Sequence, residues 1–123
     1  MTLIVDSSGW LEFFTNGLRA EEYARYLKSP ANLATPTILL YEVYKKIRRD
    51  RTEEESLVAV SLMNRAAVIP LTESIALLAA EVSLKHSLPM ADAVVYATAL
   101  EQNCKVVTSD AHFKDLERVV YIK

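Results

Sequence analysis

The chain has 123 residues, of which 51% are hydrophobic and 24% are charged, and its formal net charge is −2 at pH 7. This length is typical of one domain and the composition is too apolar for a disordered protein, so we expect a single domain over residues 1–123. The charge excludes a uniformly basic nucleic-acid-binding surface, and no apolar run approaches the ~18 residues of a membrane span, which predicts a cytoplasmic protein with no membrane partner.

The first half of the chain alternates short apolar segments with helical patterns. Leu3-Ile4-Val5 is a continuous apolar run with β-branched residues, which is typical of a strand covered on both faces. Pro36 can open a helix, because its missing N–H falls where helix donors are unpaired anyway. The predicted helices of this half span 8–14, 19–28 and 36–50, and the second predicted strand spans 32–35.

The second half continues the alternation. Thr72 is a suitable N-cap for a helix with apolar residues at the 3.6-residue period, and Pro89 opens another helix. The other predicted elements are a helix over 53–65, strands at 68–69, 106–107 and 119–122, a helix end near 102, and a short helix capped by Asp110. Strands separated by helices predict parallel pairing with right-handed crossovers, hence an α/β fold: a three-layer α/β/α sandwich with a short parallel sheet. The strand order stays open.

Four acidic residues stand alone inside apolar or small-residue stretches. They are Asp6 in LIVDSSGW, Glu42 in TILLYEVY, Asp92 in PMADAVVYATAL and Asp110 in KVVTSD. Carboxylates are seldom buried without a partner, and almost no Lys or Arg lies beside these four in the sequence. A divalent cation is therefore a candidate partner.

The predicted elements place all four acids at one edge of the sheet. Asp6 and Asp110 follow strands, while Glu42 and Asp92 lie in the first turns of helices, and ligands of open parallel sheets bind at the carboxyl ends of the strands. Each acid also has a structural alternative. Asp6 and Asp110 could be N-caps, Asp92 could complement a helix dipole, and Glu42 could pair with Lys46. The helix around Asp92 is apolar nearly all round, which predicts burial.

These residues form a series of short motifs: D-S-S-x-W after the first strand, L-x-x-E-V, P-x-A-D-A and V-T-x-D. Their order resembles the PIN domain over the whole chain, specifically the toxin nuclease of VapBC-type toxin–antitoxin pairs. The resemblance implies a metal-dependent endoribonuclease with Mg²⁺ or Mn²⁺, inhibited by a cognate antitoxin protein and forming a homodimer. The acidic site that it implies consists of Asp6, Glu42, Asp92 and Asp110, with a hydroxyl neighbour at Thr108 or Ser7. A non-catalytic RNA-binding or scaffold protein of the same fold is the alternative.

A basic run follows Glu42 on the same predicted helix. It consists of Lys45, Lys46, Arg48, Arg49 and Arg51. These cations could form a solvated helix end that complements the helix dipole, or an RNA-backbone track with Ser7, or part of the antitoxin surface. Trp10 and the pair Phe13-Phe14 are expected in the core or in a dimer contact, with base stacking as a further option.

Other sites are disfavoured by the residues at their expected positions. A phosphoacceptor receiver would need a second acid beside Asp6 and an acceptor Asp where Ile69-Pro70 stands, and a D-x-D phosphatase would need an acid at Ser8. Cys104 is the only cysteine, so a thiolate zinc site is excluded and a small buried side chain is expected. The two histidines, His86 and His112, lack metal-ligand spacing and are predicted to be surface or cap residues. The substrate RNA and the number of metal ions stay open.

Overall fold

Residues 2–123, the part of the chain that the computed structural model describes, form five strands and six α-helices, with two α-helices between successive strands except the last pair. The strands are β1 (Leu3–Val5), β2 (Ala34–Pro36), β3 (Ala67–Ile69), β4 (Lys105–Thr108) and β5 (Val119–Tyr121). The helices are α1 (Ser7–Phe14), α2 (Ala20–Leu27), α3 (Thr37–Asp50), α4 (Glu53–Met63), α5 (Glu73–His86) and α6 (Met90–Glu101). Two 3₁₀ turns, Pro30–Asn32 and Ala111–Phe113, complete the regular structure.

The predicted boundaries differ from the observed ones mainly around β2. The prediction placed this strand at 32–35, but Asn32 belongs to a 3₁₀ turn and the strand runs to Pro36. Pro36 has φ −58° and ψ 139°, so it ends the strand in extended conformation and also occupies the N-cap position of α3. The predicted opening of this helix by proline is therefore confirmed, with the proline one residue outside the helix.

All strand pairs are parallel among residues 2–123. One sheet has the order β1-β4-β5 and the other pairs β2 with β3, and a bridge between Leu3 and Leu33 joins them. Relative to the central strand β1, β2 and β3 therefore lie on one side in the sheet, and β4 and β5 lie on the other side. Because parallel crossovers are right-handed, these two directions place α1–α4 and α5–α6 on opposite faces. The predicted α/β class with a short parallel sheet is confirmed.

This topology reverses direction between β1 and β4, and such a reversal opens a crevice beyond the carboxyl ends of the two strands. The register pairs Val5 with Val107, so Asp6 follows β1 beside the end of β4. Asp6 N donates to the Val107 carbonyl at 3.0 Å, which extends the ladder by one bond. The strand order therefore brings residue 6 and residues 108–110 to the same edge.

The strands β1 and β4 and the helix α6 are continuous apolar segments because they are buried in the core. Ile4, Val5, Val106 and Val107 are all buried, since helices cover both faces of the sheet. Every residue of α6 from Ala93 to Ala99 is buried, as the apolar sequence around Asp92 predicted. Cys104 and Trp10 are buried too, and the Trp10 ring stacks on Phe14 at a centroid distance of 5.7 Å. The predicted core role of these two residues is confirmed.

Gly9 in α1 permits a close helix contact below the crevice. A Cβ at this position would overlap the Tyr23 ring and lie only 2.6 Å from Val5 Cγ1. Tyr23 is fully buried against α1 and reaches the β4 edge with its hydroxyl group. The glycine therefore allows a buried tyrosine to reach the loop that follows β4.

A membrane span requires a long apolar helix, and none of the helices within residues 2–123 has the length and hydropathy for one.

Candidate active site

Asp6 lies at the bottom of the crevice and is only 2% exposed. Its Oδ2 accepts hydrogen bonds from Thr108 Oγ1 at 2.9 Å and Ser8 Oγ at 3.3 Å. Its Oδ1 is buried and has no hydrogen-bond partner among the described residues. Burial raises the pKa of this carboxyl above its usual value, although hydrogen bonding from Thr108 acts in the opposite direction. A buried oxygen without a donor is costly, so it indicates a ligand at this position.

Asp6 occupies the N-cap position of α1, but its side chain makes no capping hydrogen bond to the described helix. The N-cap alternative for this residue is therefore correct in position, but the carboxylate is not used as the cap. For Asp110 it is correct in part, because Asp110 Oδ1 accepts from His112 N at 2.9 Å and caps the 3₁₀ turn. The second oxygen of Asp110 takes no part in this cap, so the residue can hold the turn and still face the crevice.

Thr108 connects the two strand ends. It is fully buried as the last residue of β4, and its hydroxyl donates to Asp6 Oδ2 while accepting from Asp110 N, both at 2.9 Å. Ser109 is held on either side, since Tyr23 OH donates to Ser109 Oγ at 2.9 Å and Tyr121 OH to its carbonyl at 3.3 Å. The position of Asp110 relative to Asp6 is thus determined by hydrogen bonds rather than by a free loop.

Glu42 and Asp92 complete the acidic cluster, defined as Asp6, Glu42, Asp92 and Asp110. Burial raises the pKa of the half-buried Glu42, and the charges of Asp6 and Asp110 raise it further, while hydrogen bonding with Ser7 lowers it. The Asp92 side chain is 13% exposed. Its pKa is raised to about 7, first by burial and then by the charges of Asp110 and Asp6. The charges of the four carboxylates therefore act on one another, and within residues 2–123 the ligand atoms of Asp92 and Asp110 lie within 4.8 Å of each other.

The alternative partner of Glu42 is not observed, whereas Asp92 does lie in a helix first turn, where its charge complements the dipole. Lys46 Nζ lies 3.0 Å from Asp50 Oδ2, so it pairs one turn onward and not with Glu42. Asp92 is in the first turn of α6 and faces carboxylates at the crevice rather than acting only on the helix dipole.

His112 is a member of the site that the sequence analysis did not identify. Its Nδ1 lies 2.9 Å from Asp92 Oδ2 and 3.0 Å from Asp110 Oδ1. The prediction of a surface or cap residue was incomplete, since the side chain is 56% exposed but its ring reaches both acids. The available signal was its position two residues after a strand-end Asp that caps the next turn.

A family model described as PIN domain matches residues 3–119. The chain belongs to the PIN domain family. The resemblance found in the short motifs is thereby confirmed. Comparison with curated proteins gives no match.

Solved structures similar to this PIN domain include several toxin–antitoxin proteins. A toxin–antitoxin complex from Klebsiella pneumoniae has a TM-score of 0.81 at 19% identity, covering 97% of this chain and 96% of that chain. VapBC2 from Rickettsia felis, bound to a DNA fragment from its promoter, has a TM-score of 0.78 at 14% identity, covering 99% and 98%. VapC20 from Mycobacterium tuberculosis, a sarcin-ricin loop cleaving toxin, has a TM-score of 0.74 at 17% identity, covering 89% and 92%. At these identities the likeness shows the fold.

The PIN domain site fits a divalent cation by three observations. Its donors are carboxylate and hydroxyl oxygens, which suit hard cations such as Mg²⁺ and Mn²⁺. Asp6 Oδ1 is buried without a partner in the described chain. The pKa values of Asp6, Glu42 and Asp92 are all raised, so the charged forms of these acids are unfavourable in the metal-free fold and a bound cation would favour them. The residues present therefore could hold Mg²⁺ or Mn²⁺.

The two hydroxyl groups of the D-S-S motif lie beside different acids. Ser8, which was not singled out, donates to Asp6 and lies 3.5 Å from Thr108 Oγ1. Ser7 is half-buried as the first residue of α1 and acts on Glu42 instead. Both hydroxyls thus border the acidic cluster, each beside a different acid.

The basic run at the end of α3 is exposed and paired with nearby acids. Its ion pairs within residues 2–123 are Arg49 Nε to Asp50 Oδ1 at 2.9 Å, Lys46 Nζ to Asp50 Oδ2 at 3.0 Å, Arg51 Nη1 to Glu55 Oε2 at 3.4 Å, and Arg48 Nη2 to Glu53 Oε2 at 3.8 Å. Lys45 Nζ lies 3.1 Å from Tyr41 OH. An RNA phosphate would therefore have to exchange with these carboxylates, which lowers the net attraction of the run.

Proposed function

We propose that this PIN domain is a cytoplasmic endoribonuclease that uses Mg²⁺ or Mn²⁺ to hydrolyse RNA phosphodiester bonds. The observation that carries the proposal is the buried, unpartnered Asp6 Oδ1 within the acidic cluster. A divalent cation bound there supplies an activated water and neutralises charge on the reacting and leaving oxygens. We assign the metal ligands to the four residues of the cluster: Asp6, Glu42, Asp92 and Asp110.

Other residues of the chain would maintain the geometry of this site. Thr108 orients Asp6 and Asp110 together, because its hydroxyl donates to one and accepts from the backbone of the other. Ser8 provides a second donor to Asp6 Oδ2, which leaves Oδ1 for the cation. We assign Thr108 to the catalytic site on this basis.

The proposed biological role is that of the toxin in a type II toxin–antitoxin pair. It is supported by the similar structures, which include toxin–antitoxin complexes and one toxin that cleaves an RNA loop. The partner would be a cognate antitoxin protein that occupies the crevice. A short adjacent reading frame whose product relieves growth arrest on co-expression is the expected observation, and growth inhibition without any such neighbour would contradict the role.

The direct test of the activity is an assay with untagged protein and purified RNA. We expect internal cleavage with Mn²⁺ or Mg²⁺ and none after chelation with EDTA. Binding of RNA without cleavage at saturating metal would favour the non-catalytic RNA-binding alternative. Cleavage that persists in EDTA would reject the metal site itself.

The basic run provides a prediction about RNA binding. Replacing Arg48, Arg49 and Arg51 together with Gln should weaken binding across RNA sequences and reduce the slope of log K against log salt by up to about 2, since each single-strand phosphate contact contributes roughly 0.7. The ion pairs of these residues make the expected change smaller than for free cations.

The matched control is Lys105→Gln, because Lys105 is an exposed cation that begins β4 at the opposite edge of the sheet. Its slope should equal that of the wild type. A triple variant with an unchanged slope would assign the basic run to the solvated helix end.

A homodimer is proposed from an apolar face of α5. Leu77 and Leu84 lie seven residues apart on the same helix face and are 65% and 82% exposed. We expect Leu84→Glu to shift the protein to monomer in sedimentation velocity, because a charge would be buried in the contact. Leu57→Glu on α4, an exposed leucine outside this face, serves as the matched control. A wild-type protein that sediments as a monomer at micromolar concentration would reject the dimer.

A further inference from the structure

We propose that His112 supplies an imidazole nitrogen ligand to the divalent cation of this site and biases the PIN domain toward Mn²⁺ over Mg²⁺. The inference rests on the metal site of the proposed function and assigns a ligand to it outside the four acids. It concerns which ion the chain selects.

The backbone holds His112 at the mouth of the crevice. The backbone N–H of His112 donates a hydrogen bond to Asp110 Oδ1 at 2.9 Å, and the next residue, Phe113, is fully buried in the core. The 3₁₀ turn Ala111–Phe113 is thus anchored at both of these positions. The exposed ring lies between Asp92 and Asp110 because the turn directs it there.

The distances around the ring match a metal coordination shell. His112 Nδ1 lies 2.9 Å from Asp92 Oδ2 and 3.0 Å from Asp110 Oδ1. Two ligands at ~2.1 Å from an octahedral ion and at a right angle are about 3.0 Å apart. One ligand atom from each of these three residues also lies within 4.8 Å of the others. The three groups could therefore occupy neighbouring positions around one ion.

A proton alone accounts poorly for this arrangement. Nδ1 carries at most one hydrogen and can direct it well toward one of the two carboxylates. One imidazolium also supplies a single positive charge to a cluster of four acids. A second, independent observation concerns Asp6 of the same cluster. Only 2% of this residue is exposed, and its Oδ1 has no hydrogen-bond partner among residues 2–123. A divalent cation at the ring would neutralise the two carboxylates there, and the orphaned Asp6 oxygen is a second group of the crevice without a partner among the described residues.

The nitrogen ligand would change the preference between ions. Mg²⁺ favours oxygen ligands, whereas imidazole suits transition metals, and affinity for such sites rises from Mn²⁺ through Co²⁺. We expect His112→Gln to lower the affinity for Mn²⁺ by about 10-fold or more while changing that for Mg²⁺ by less than about 3-fold, in line with the effects of residues around metal ligands. The variant should fold, because the His112 side chain is mostly exposed.

The decisive experiment is pulsed electron paramagnetic resonance of Mn²⁺ bound to the untagged full chain. The sequence has only two histidines, so ¹⁴N modulation from a coordinated imidazole can come from His112 or His86 alone. We expect the modulation in the wild type and in the control His86→Gln, and its loss in His112→Gln. Calorimetry with Mn²⁺ and Mg²⁺ on the same proteins measures the preference.

Three outcomes would overturn the inference. Mn²⁺ binding without ¹⁴N modulation, together with intact RNA cleavage, would reject His112 as a ligand and leave the proposed function in place. Tighter binding of both ions in His112→Gln would mean that the ring competes with the metal. Absence of Mn²⁺ binding and of cleavage would reject both proposals.

Discussion

Asp6→Asn is expected to lower RNA cleavage by at least about 100-fold, since loss of a ligand should cost no less than loss of a group that supports one. The substitution removes the charge of the most buried acid and should also weaken Mn²⁺ binding. It should not unfold the protein, because burial raises the pKa of this carboxyl, so the charged form is unfavourable in the metal-free fold. Thr108 can still donate to the Asn oxygen.

Cleavage rates at saturating Mn²⁺, Mn²⁺ calorimetry and thermal unfolding of the metal-free protein would be measured together. Asp115→Asn is the control, since Asp115 is an exposed carboxylate outside both the acidic cluster and the basic run. It should cleave like the wild type. Wild-type cleavage by Asp6→Asn at saturating Mn²⁺ would remove Asp6 from the site and with it the metal assignment.

The stabilisation of the protein by Mn²⁺ is expected to grow as the pH rises toward 7. The pKa of Asp92 is raised from 3.8 to about 7, first by burial and then by Asp110 and Asp6. Between these values the native metal-free state keeps a proton that the unfolded chain has lost. Its free energy of unfolding therefore falls as the pH rises through this window and levels off above it. Metal must displace the same proton, so Mn²⁺ affinity rises over the same range.

At a free Mn²⁺ concentration of 100 Kd the stabilisation is ~2.7 kcal/mol, or roughly 10 °C in Tm for a domain of this size. Melting curves with and without Mn²⁺ from pH 5 to 8 measure both effects. In Asp92→Asn the metal-free curve should depend less on pH and gain less from Mn²⁺. Equal melting temperatures under all these conditions, with Asp92→Asn like the wild type, would show that the acids form no metal site.

The apolar runs and the isolated acids carried the information that the sequence provided. Buried parallel strands require continuous apolar residues, so β1 and β4 could be recognised, and the acids directly after them had to lie at strand ends. The short motifs then identified the PIN domain family, which the family model confirms over residues 3–119. Each apolar run, isolated acid and short motif spans only a few consecutive residues, so it could be recognised from the sequence alone.

The tertiary structure decided what depends on pairs far apart in the chain. The strand order β3-β2-β1-β4-β5 follows from contacts between strands, so it places Asp6 beside Thr108 in a way that no local pattern specifies. Three further features arise in the same way: the contact of Ser8 with Thr108, the missing partner of Asp6 Oδ1 within residues 2–123, and the position of the His112 ring beside Asp92. Local sequence determined which residues could act, because hydrophobic periodicity and apolar runs are local. Side-chain contacts across the fold determined which of them meet.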